Sequence, residues 1–187
     1  MNKISAKGTY NETKLLEIKY GLEAIYLNIS KLLVFFTINY LIGNLTTSLI
    51  FFLFYIPLRG AGWGFHAKTS LQCWTISAIL FIGLPLLVHQ VHLELYTKII
   101  LCTGSLIAMW CWAPADTPKR PLVNPETRKK LKSSAITITL VYSLLIFYTD
   151  LYSFVIIALL MQLLLVNPFT YLGLNVRYKN HLHYKVV

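Results

Sequence analysis

The chain has 187 residues, of which 56% are hydrophobic and only 13% are charged, and such a composition with long apolar runs excludes a soluble domain and indicates an integral membrane protein. Seventeen Lys and Arg stand against seven Asp and Glu, an excess that in a membrane protein marks cytoplasmic segments, so nucleic acid is excluded as the expected partner. The polar first thirty residues do not match a cleaved signal peptide, and three cysteines without a CxxC pair exclude a disulfide framework or a paired metal site.

The N-terminal segment, residues 1–31, is predicted to be an amphipathic helix on the membrane surface. Its apolar residues recur at steps of three and four, with polar residues between them: Leu15, Ile18, Leu22, Ile25 and Ile29. Six apolar stretches follow, at 32–42, 45–56, 74–88, 95–113, 135–149 and 153–169. The predicted fold is therefore all-α, one polytopic membrane domain over residues 1–187.

The first two apolar stretches are too short to be assigned by length alone. Basic residues flank the pair on both sides, and the positive-inside rule then places both flanks in the cytoplasm. The sequence thus predicts a short hairpin, re-entrant or spanning, with its break near Gly43 and Asn44. Continuing the count places both termini and the basic loop 114–134 in the cytoplasm.

Residues 57–73 are predicted to form a loop followed by a helix start. Pro57 and the glycines between 60 and 64 oppose a regular helix. Thr69 and Gln72 have the spacing of a capping box, which would place Cys73 at the end of the first helical turn. His66 would then lie in the preceding loop, from which it can fold back over the helix end.

His66 and Cys73 together suggest nucleophilic catalysis. The positive end of a helix and a nearby imidazole favour the reactive thiolate, and the histidine can accept the thiol proton and return it to a leaving amine. The structural alternative is an interfacial histidine beside a small buried cysteine. Cys102 and Cys111 lie within an apolar stretch and are interpreted as packing residues.

The run of Arg59, Gly64, His66, Ser70 and Cys73 resembles the accessory gene regulator protein B (AgrB) family of Gram-positive quorum-sensing systems, with a later Pro114-Ala115 and basic pair. The likeness covers nearly the whole chain. It implies a membrane cysteine endopeptidase that cuts an AgrD-like propeptide and promotes its cyclisation to a thiolactone or lactone. By this resemblance Cys73 is the nucleophile and His66 the base, with Arg59, Gly64 and Ser70 supporting the site.

The charged residues of the central loop have two interpretations each. Asp116 lies on the same predicted side as His66 and could orient it, or it could be a solvated loop residue. The basic cluster could anchor the topology and contact anionic lipids, or it could hold the acidic C-terminal part that the resemblance implies for the propeptide. This cluster runs from Lys119 to Lys132, and the residues selected as possible propeptide contacts are Lys119, Arg120, Arg128, Lys129 and Lys130.

The rival function is a non-catalytic peptide exporter or membrane scaffold, in which Gly60 to Gly64 act as a hinge. It explains the glycines but not the pairing of His66 with Cys73. No cofactor and no metal are expected. The expected partners are the cognate propeptide, the lipid bilayer and, as one option, a second copy of the chain in a homodimer.

Overall fold

The computed structural model describes residues 12–65, 67, 69–118 and 121–183, which form a bundle of helices. The α-helices are α1 (Glu12–Leu41), α2 (Leu45–Gly62), α3 (Ser70–Ala78), α4 (Leu84–Leu87), α5 (Leu95–Trp112), α6 (Pro125–Tyr148), α7 (Tyr152–Val166) and α8 (Pro168–Gly173). A π-helical turn (Ile79–Gly83) joins α3 to α4, and 3₁₀ turns cover Val88–Gln90 and Asn180–His183.

Five segments of the described chain are helical, long and apolar enough to cross a membrane: Gly21–Leu41, Leu45–Gly62, Leu71–Gln90, Leu95–Trp112 and Pro125–Tyr148. Helix α7 is also apolar but has only 15 residues. The protein is therefore an all-α polytopic membrane protein, which confirms the fold class predicted from composition.

Helix α7 is the centre of the bundle and packs against α2, α5 and α6. Ten of its residues are buried, because a helix that is apolar on every side gains most when other helices surround it. Its C-terminal turns carry Gln162, fully buried, and Leu165. Both residues contact the segment that follows α2.

Helix α1 is continuous from Glu12 to Leu41, so the predicted surface helix and the first apolar stretch form one element. The chain turns at Gly43, whose φ of +73° lies in the left-handed region that glycine accepts without strain. The predicted break is therefore in the right place. The arms of the hairpin have 21 and 18 residues, within the range that spans a bilayer, which favours a full crossing over a re-entrant one.

Helix α2 continues through Pro57 to Gly62, so the prediction of a loop beginning at residue 57 was wrong. Pro57 removes one N–H from the helical hydrogen bonds, yet the helix runs on for five more residues to Gly62. Gly62 has a packing role, because a Cβ at this position would collide with the Gln162 side-chain nitrogen. The loop begins only at Trp63.

A second proline lies near the place where α1 packs against the π-helical turn. Pro85 has no N–H, so it cannot donate the α-helical hydrogen bond to the carbonyl of Phe81. The Asn39 side chain donates to that carbonyl instead, at 2.7 Å, and also to the carbonyl of Phe35 at 2.8 Å. This bridge fixes the register of α1 against the third transmembrane segment.

One end of the bundle, here called the Gly64 end, brings together three chain segments. The Gly64 N–H donates to the Ala115 carbonyl, and the Phe65 N–H donates to the Leu165 carbonyl, both at 2.8 Å. The α2–α3 loop, the α5–α6 loop and the end of α7 therefore meet here.

The opposite end, here called the Gly43 end, contains the α1–α2 turn and the other connections. The Ser153 hydroxyl donates to the Val91 carbonyl at 3.1 Å, and the Lys98 ammonium lies 3.6 Å from the centroid of the Tyr152 ring. Outside α1, Lys98 is the one described basic residue at this end. The others lie at or next to the Gly64 end: Arg59, Arg128, Lys129, Lys130, Lys132, Arg177 and Lys179.

This charge asymmetry predicts that the Gly64 end faces the cytoplasm. We expect a single cysteine at His92, near the Gly43 end, to react with an impermeant maleimide in intact cells, in a chain whose native cysteines are replaced. A single cysteine at Lys129 should react only after permeabilisation. Reaction of both positions in intact cells would contradict this orientation.

Candidate active site

The short segment Trp63–Phe65 is held by side chains from two helices. The Trp63 carbonyl accepts hydrogen bonds from the Arg59 guanidinium and, at 2.8 Å, from the Gln162 side-chain nitrogen. The second guanidinium nitrogen of Arg59 donates to the Phe65 carbonyl at 2.9 Å. The Arg59 side chain therefore holds the loop by its backbone carbonyls, a role that suits a guanidinium group with several donors.

The same segment also pairs with the central loop. The Ala115 N–H donates to the Gly62 carbonyl at 3.2 Å, and the Gly64 N–H returns a bond to the Ala115 carbonyl. These bonds give the isolated parallel bridge between Trp63 and Ala115. Residues about fifty positions apart are thereby fixed at one place.

Gly64 is required by both conformation and space. Its φ is +116°, a region that side-chain-bearing residues rarely adopt, and a Cβ would lie 2.7 Å from the Leu165 carbonyl oxygen and 2.9 Å from Arg59 Nη1. The contact with Leu165 is to backbone, which cannot rotate away. The match of Gly64 to a site position thus has a physical reason.

The start of α3 agrees with the predicted capping box. The Thr69 hydroxyl oxygen accepts from the Gln72 N–H at 3.3 Å, and α3 begins at Ser70. The Cys73 N–H donates to the Thr69 carbonyl at 3.1 Å. Cys73 is therefore at the end of the first turn, near the positive end of the helix.

Cys73 is half-buried and lines a cavity of about 540 Å³. Helices α1, α2, α3 and α7 and the loop between α2 and α3 form its wall, with Asn28, Tyr55, Arg59, Trp63, Phe65, Ala67, Ser77 and Leu165 among the lining residues. The Lys31 ammonium lies 3.0 Å from the Cys73 sulfur. Trp74, the next residue, does not line the cavity; its ring packs edge-on against that of Phe35, with the ring centroids 5.5 Å apart.

Several of the predicted site residues fall outside what the structure describes. His66, Lys119 and Arg120 are not among the described residues, and nothing is described of the Ser70 side chain. Phe65 and Ala67, the chain neighbours of His66, both line the cavity that contains Cys73.

Asp116 is buried, with 1% of its surface exposed, and its carboxylate accepts three backbone hydrogen bonds. The donors are the N–H groups of Leu122 at 3.2 Å, Asn180 at 2.9 Å and His181 at 2.8 Å. Arg128 lies 4.0 Å from the same carboxylate. The described contacts of Asp116 therefore tie the central loop to the C-terminal segment, and the interpretation as a solvated loop residue was wrong.

A second cavity, of about 510 Å³, lies beside Asp116 and carries most of the local positive charge. Arg128 and Lys129 line it, as do Lys132, Lys179 and His181, which were not among the residues selected from the sequence; Lys130 does not line it. Lys132 could have been found from its spacing, since residues three apart share a helix face. Lys179 and His181 lie beside the cavity because the backbone N–H groups of Asn180 and His181 bind the Asp116 carboxylate.

Tyr178 closes one side of this basic cavity. Burial raises the pKa of its hydroxyl, so the group stays protonated and donates to the Trp112 carbonyl at 3.3 Å. The two cavities meet at the loop pairing, since Trp63 lines the first and Ala115 the second.

We predict that Gly64→Ala destabilises the protein by about 1–3 kcal/mol, the usual cost of a side chain held in a strained backbone conformation. The purified protein in detergent should show a lower denaturation midpoint. Gly104→Ala is the matched control, because no atom lies within 4 Å of a Cβ there and alanine is favoured in a helix by about 0.5–1 kcal/mol. An equal loss of stability in both variants would contradict the role assigned to Gly64.

Comparison with known proteins agrees with the resemblance. The family model of accessory gene regulator B matches residues 1–166. An AgrB-like protein of Listeria innocua is 33% identical over 178 residues, covering 94% of this chain and 87% of that protein. Accessory gene regulator protein B of Staphylococcus aureus is 31% identical over 175 residues, covering 89% and 93%. No solved structure matches. On these matches, the chain belongs to the accessory gene regulator B family.

Proposed function

We propose that this protein is a membrane cysteine endopeptidase of a quorum-sensing system, which cleaves a propeptide through a thioester on Cys73 and promotes cyclisation of the product. The observation that carries the proposal is the position of Cys73, at the first turn of α3 and in the wall of a cavity at the basic end of the bundle. Family membership supports the same conclusion.

His66 is proposed as the base because its neighbours Phe65 and Ala67 both line the Cys73 cavity. The imidazole takes the thiol proton as the sulfur attacks the carbonyl carbon of the scissile bond. The C–N bond then breaks, and the imidazolium gives its proton to the departing amine. The C-terminal segment of the propeptide leaves, and the N-terminal part stays on Cys73 as a thioester.

Cyclisation follows if an internal thiol or hydroxyl of the bound peptide attacks the thioester before water does. The new thiolactone or lactone forms as the bond to Cys73 breaks, and the cysteine regains its proton. A peptide held in the cavity presents its own nucleophile at high effective concentration. The Trp63 and Phe65 side chains in the cavity wall limit the access of water.

The rival exporter or scaffold needs Gly60 to Gly64 as a hinge. Instead, Gly60 and Gly62 are helical, and the residues after them are fixed by Arg59, Gln162, Ala115 and Leu165. A segment held from three sides is a poor hinge, so the described contacts favour the enzyme.

The mechanism predicts a trapped intermediate. With a propeptide whose ring nucleophile is replaced by Ala, a covalent adduct on Cys73 should accumulate and disappear with hydroxylamine, as seen by mass spectrometry of the purified protein. Cys73→Ala should form no adduct, and His66→Ala should form it at least about a hundredfold more slowly, in line with loss of a general base.

Cys102→Ala is the control for this experiment, because Cys102 is buried in α5 away from the cavity. It should form the adduct as the unmodified protein does. If the normal propeptide gives only linear product and the altered one gives no adduct, the thioester mechanism is excluded.

We further propose that the basic cavity binds the acidic part of the propeptide. Lys129→Glu, inside the cavity, should lower kcat/KM for an acidic propeptide by roughly tenfold, because a charge that attracts the substrate becomes one that repels it. Lys130→Glu is the matched control, since it makes the same charge change one residue away from a side chain outside the cavity. It should cost less than about threefold.

A propeptide with its C-terminal acids neutralised should remove the difference between these two variants. If Lys129→Glu and Lys130→Glu reduce processing equally with both peptides, the cluster acts through topology or folding, and peptide recognition lies elsewhere.

A further inference from the structure

Lys31 is a buried cation of the apolar helical segment Gly21–Leu41, and it lies level with Cys73 at the Gly64 end. Only 8% of its surface is exposed. A charged side chain at such a position is costly unless it has a partner, and ionisable residues inside membrane-spanning segments usually serve a function. The identity of its partner therefore indicates what that function is.

The Lys31 ammonium donates a hydrogen bond of 3.0 Å to the Cys73 sulfur. It also lies 5.8 Å from the centroid of the Trp74 ring. In the part of the chain that the structure describes, Lys31 makes no ion pair with a carboxylate. A neutral thiol is a weak acceptor, whereas a thiolate provides the negative charge that a buried ammonium requires.

The contact is set by the packing of α1 beside α3. Eight residues further along α1 and along the segment that continues α3, Asn39 donates to the carbonyl of Phe81 in the π-helical turn at 2.7 Å. Between these two contacts Phe35 packs on Trp74. Three successive contacts in the same direction show that the helices run parallel in a fixed register. The position of the ammonium beside the sulfur therefore follows from helix packing.

We propose that Lys31 is a further catalytic residue, whose ammonium stabilises the Cys73 thiolate by a direct charge-assisted hydrogen bond. This inference rests on the proposed function of Cys73 as the nucleophile. The thiol proton goes to His66, and the negative charge left on sulfur is stabilised by the Lys31 ammonium. When the sulfur attacks the peptide carbonyl and becomes part of the thioester, its charge is lost and the bond to Lys31 weakens.

The proposal gives α1 a place in the active site. Asn28, one turn before Lys31, also lines the Cys73 cavity. The N-terminal helix thus supplies a charged group to the reacting atom and part of the wall that faces the peptide.

The test is the rate at which iodoacetamide alkylates Cys73 at neutral pH, measured by mass spectrometry of the full-length protein in detergent. Cys111 is exposed, so its alkylation rate in the same sample is the internal reference. Lys31→Met should slow Cys73 alkylation by roughly tenfold or more relative to Cys111, since only the thiolate reacts. Lys31→Arg, which keeps the charge, should stay within about threefold of the unmodified protein.

Lys19→Met is the matched control, because Lys19 lies on the same helix with its side chain half-exposed, paired with Glu23. It should not change either rate. Should Lys31→Met fail to accumulate in the membrane, Lys31→Gln removes the charge while keeping a polar side chain and is expected to give the same slowing.

Propeptide cleavage is measured on the same variants. Normal alkylation of Cys73 in the charge-free Lys31 variants overturns the proposal, even if their cleavage falls, because the lysine would then act through something other than the sulfur. Slowed alkylation with parallel loss of cleavage supports it. If the unmodified protein cleaves no propeptide while Cys73 alkylation still depends on Lys31, the proposed function fails and the stabilisation of the thiolate stands.

Discussion

The carbonyl of Trp63 accepts hydrogen bonds from Arg59 on α2 and from Gln162 on α7, and the arrangement of the Gly64 end depends on it. With this carbonyl held, the chain leaves α2 in one direction only, and Gly64 and Phe65 reach the backbone of the central loop and of α7. Buried polar contacts of this kind specify a geometry because leaving any member unpaired is costly. The loop therefore delivers the start of α3, and with it Cys73, to a defined place.

If the proposed function holds, the first cavity serves the reaction and the second serves recognition of the peptide. The first contains the thiol, which Lys31 contacts, and has aromatic walls, and basic residues line the second. They meet where Trp63 pairs with Ala115, so a peptide bound across this pairing would place its acidic end and its scissile bond in different environments. The Asp116 cluster holds the second cavity by joining Leu122 of the central loop to Asn180 near the C-terminus.

Local features of the fold could be predicted from the sequence, and features that depend on distant residues could not. The capping of α3 by Thr69 and the turn at Gly43 follow from neighbouring residues, and both were predicted correctly. The extension of α2 through Pro57 to Gly62 was missed, because proline and glycine were interpreted as helix breakers. Gly62 instead makes room for the side chain of Gln162, a residue about a hundred positions later.

The candidate site shows the same division. Cys73 could be identified from its position in the helix and from the family likeness, and Arg128 and Lys129 from the basic run. Lys31 is one of the basic residues that flank the first two apolar stretches in the sequence, and only the parallel packing of α1 and α3 brings it to the sulfur. Nothing in the residues around His181 indicates that its N–H donates to the buried Asp116 carboxylate.

The bridge from Asn39 to the Phe81 carbonyl also has an evolutionary consequence. The asparagine is needed because Pro85 cannot supply the usual donor. A relative that lost the proline would recover the helical hydrogen bond and could replace the asparagine with an apolar residue, whereas loss of the asparagine alone would remove a donor from the partly buried Phe81 carbonyl. Positions 39 and 85, on different helices, should therefore change together in the descent of this family, and the proline should be the first of the two to be lost.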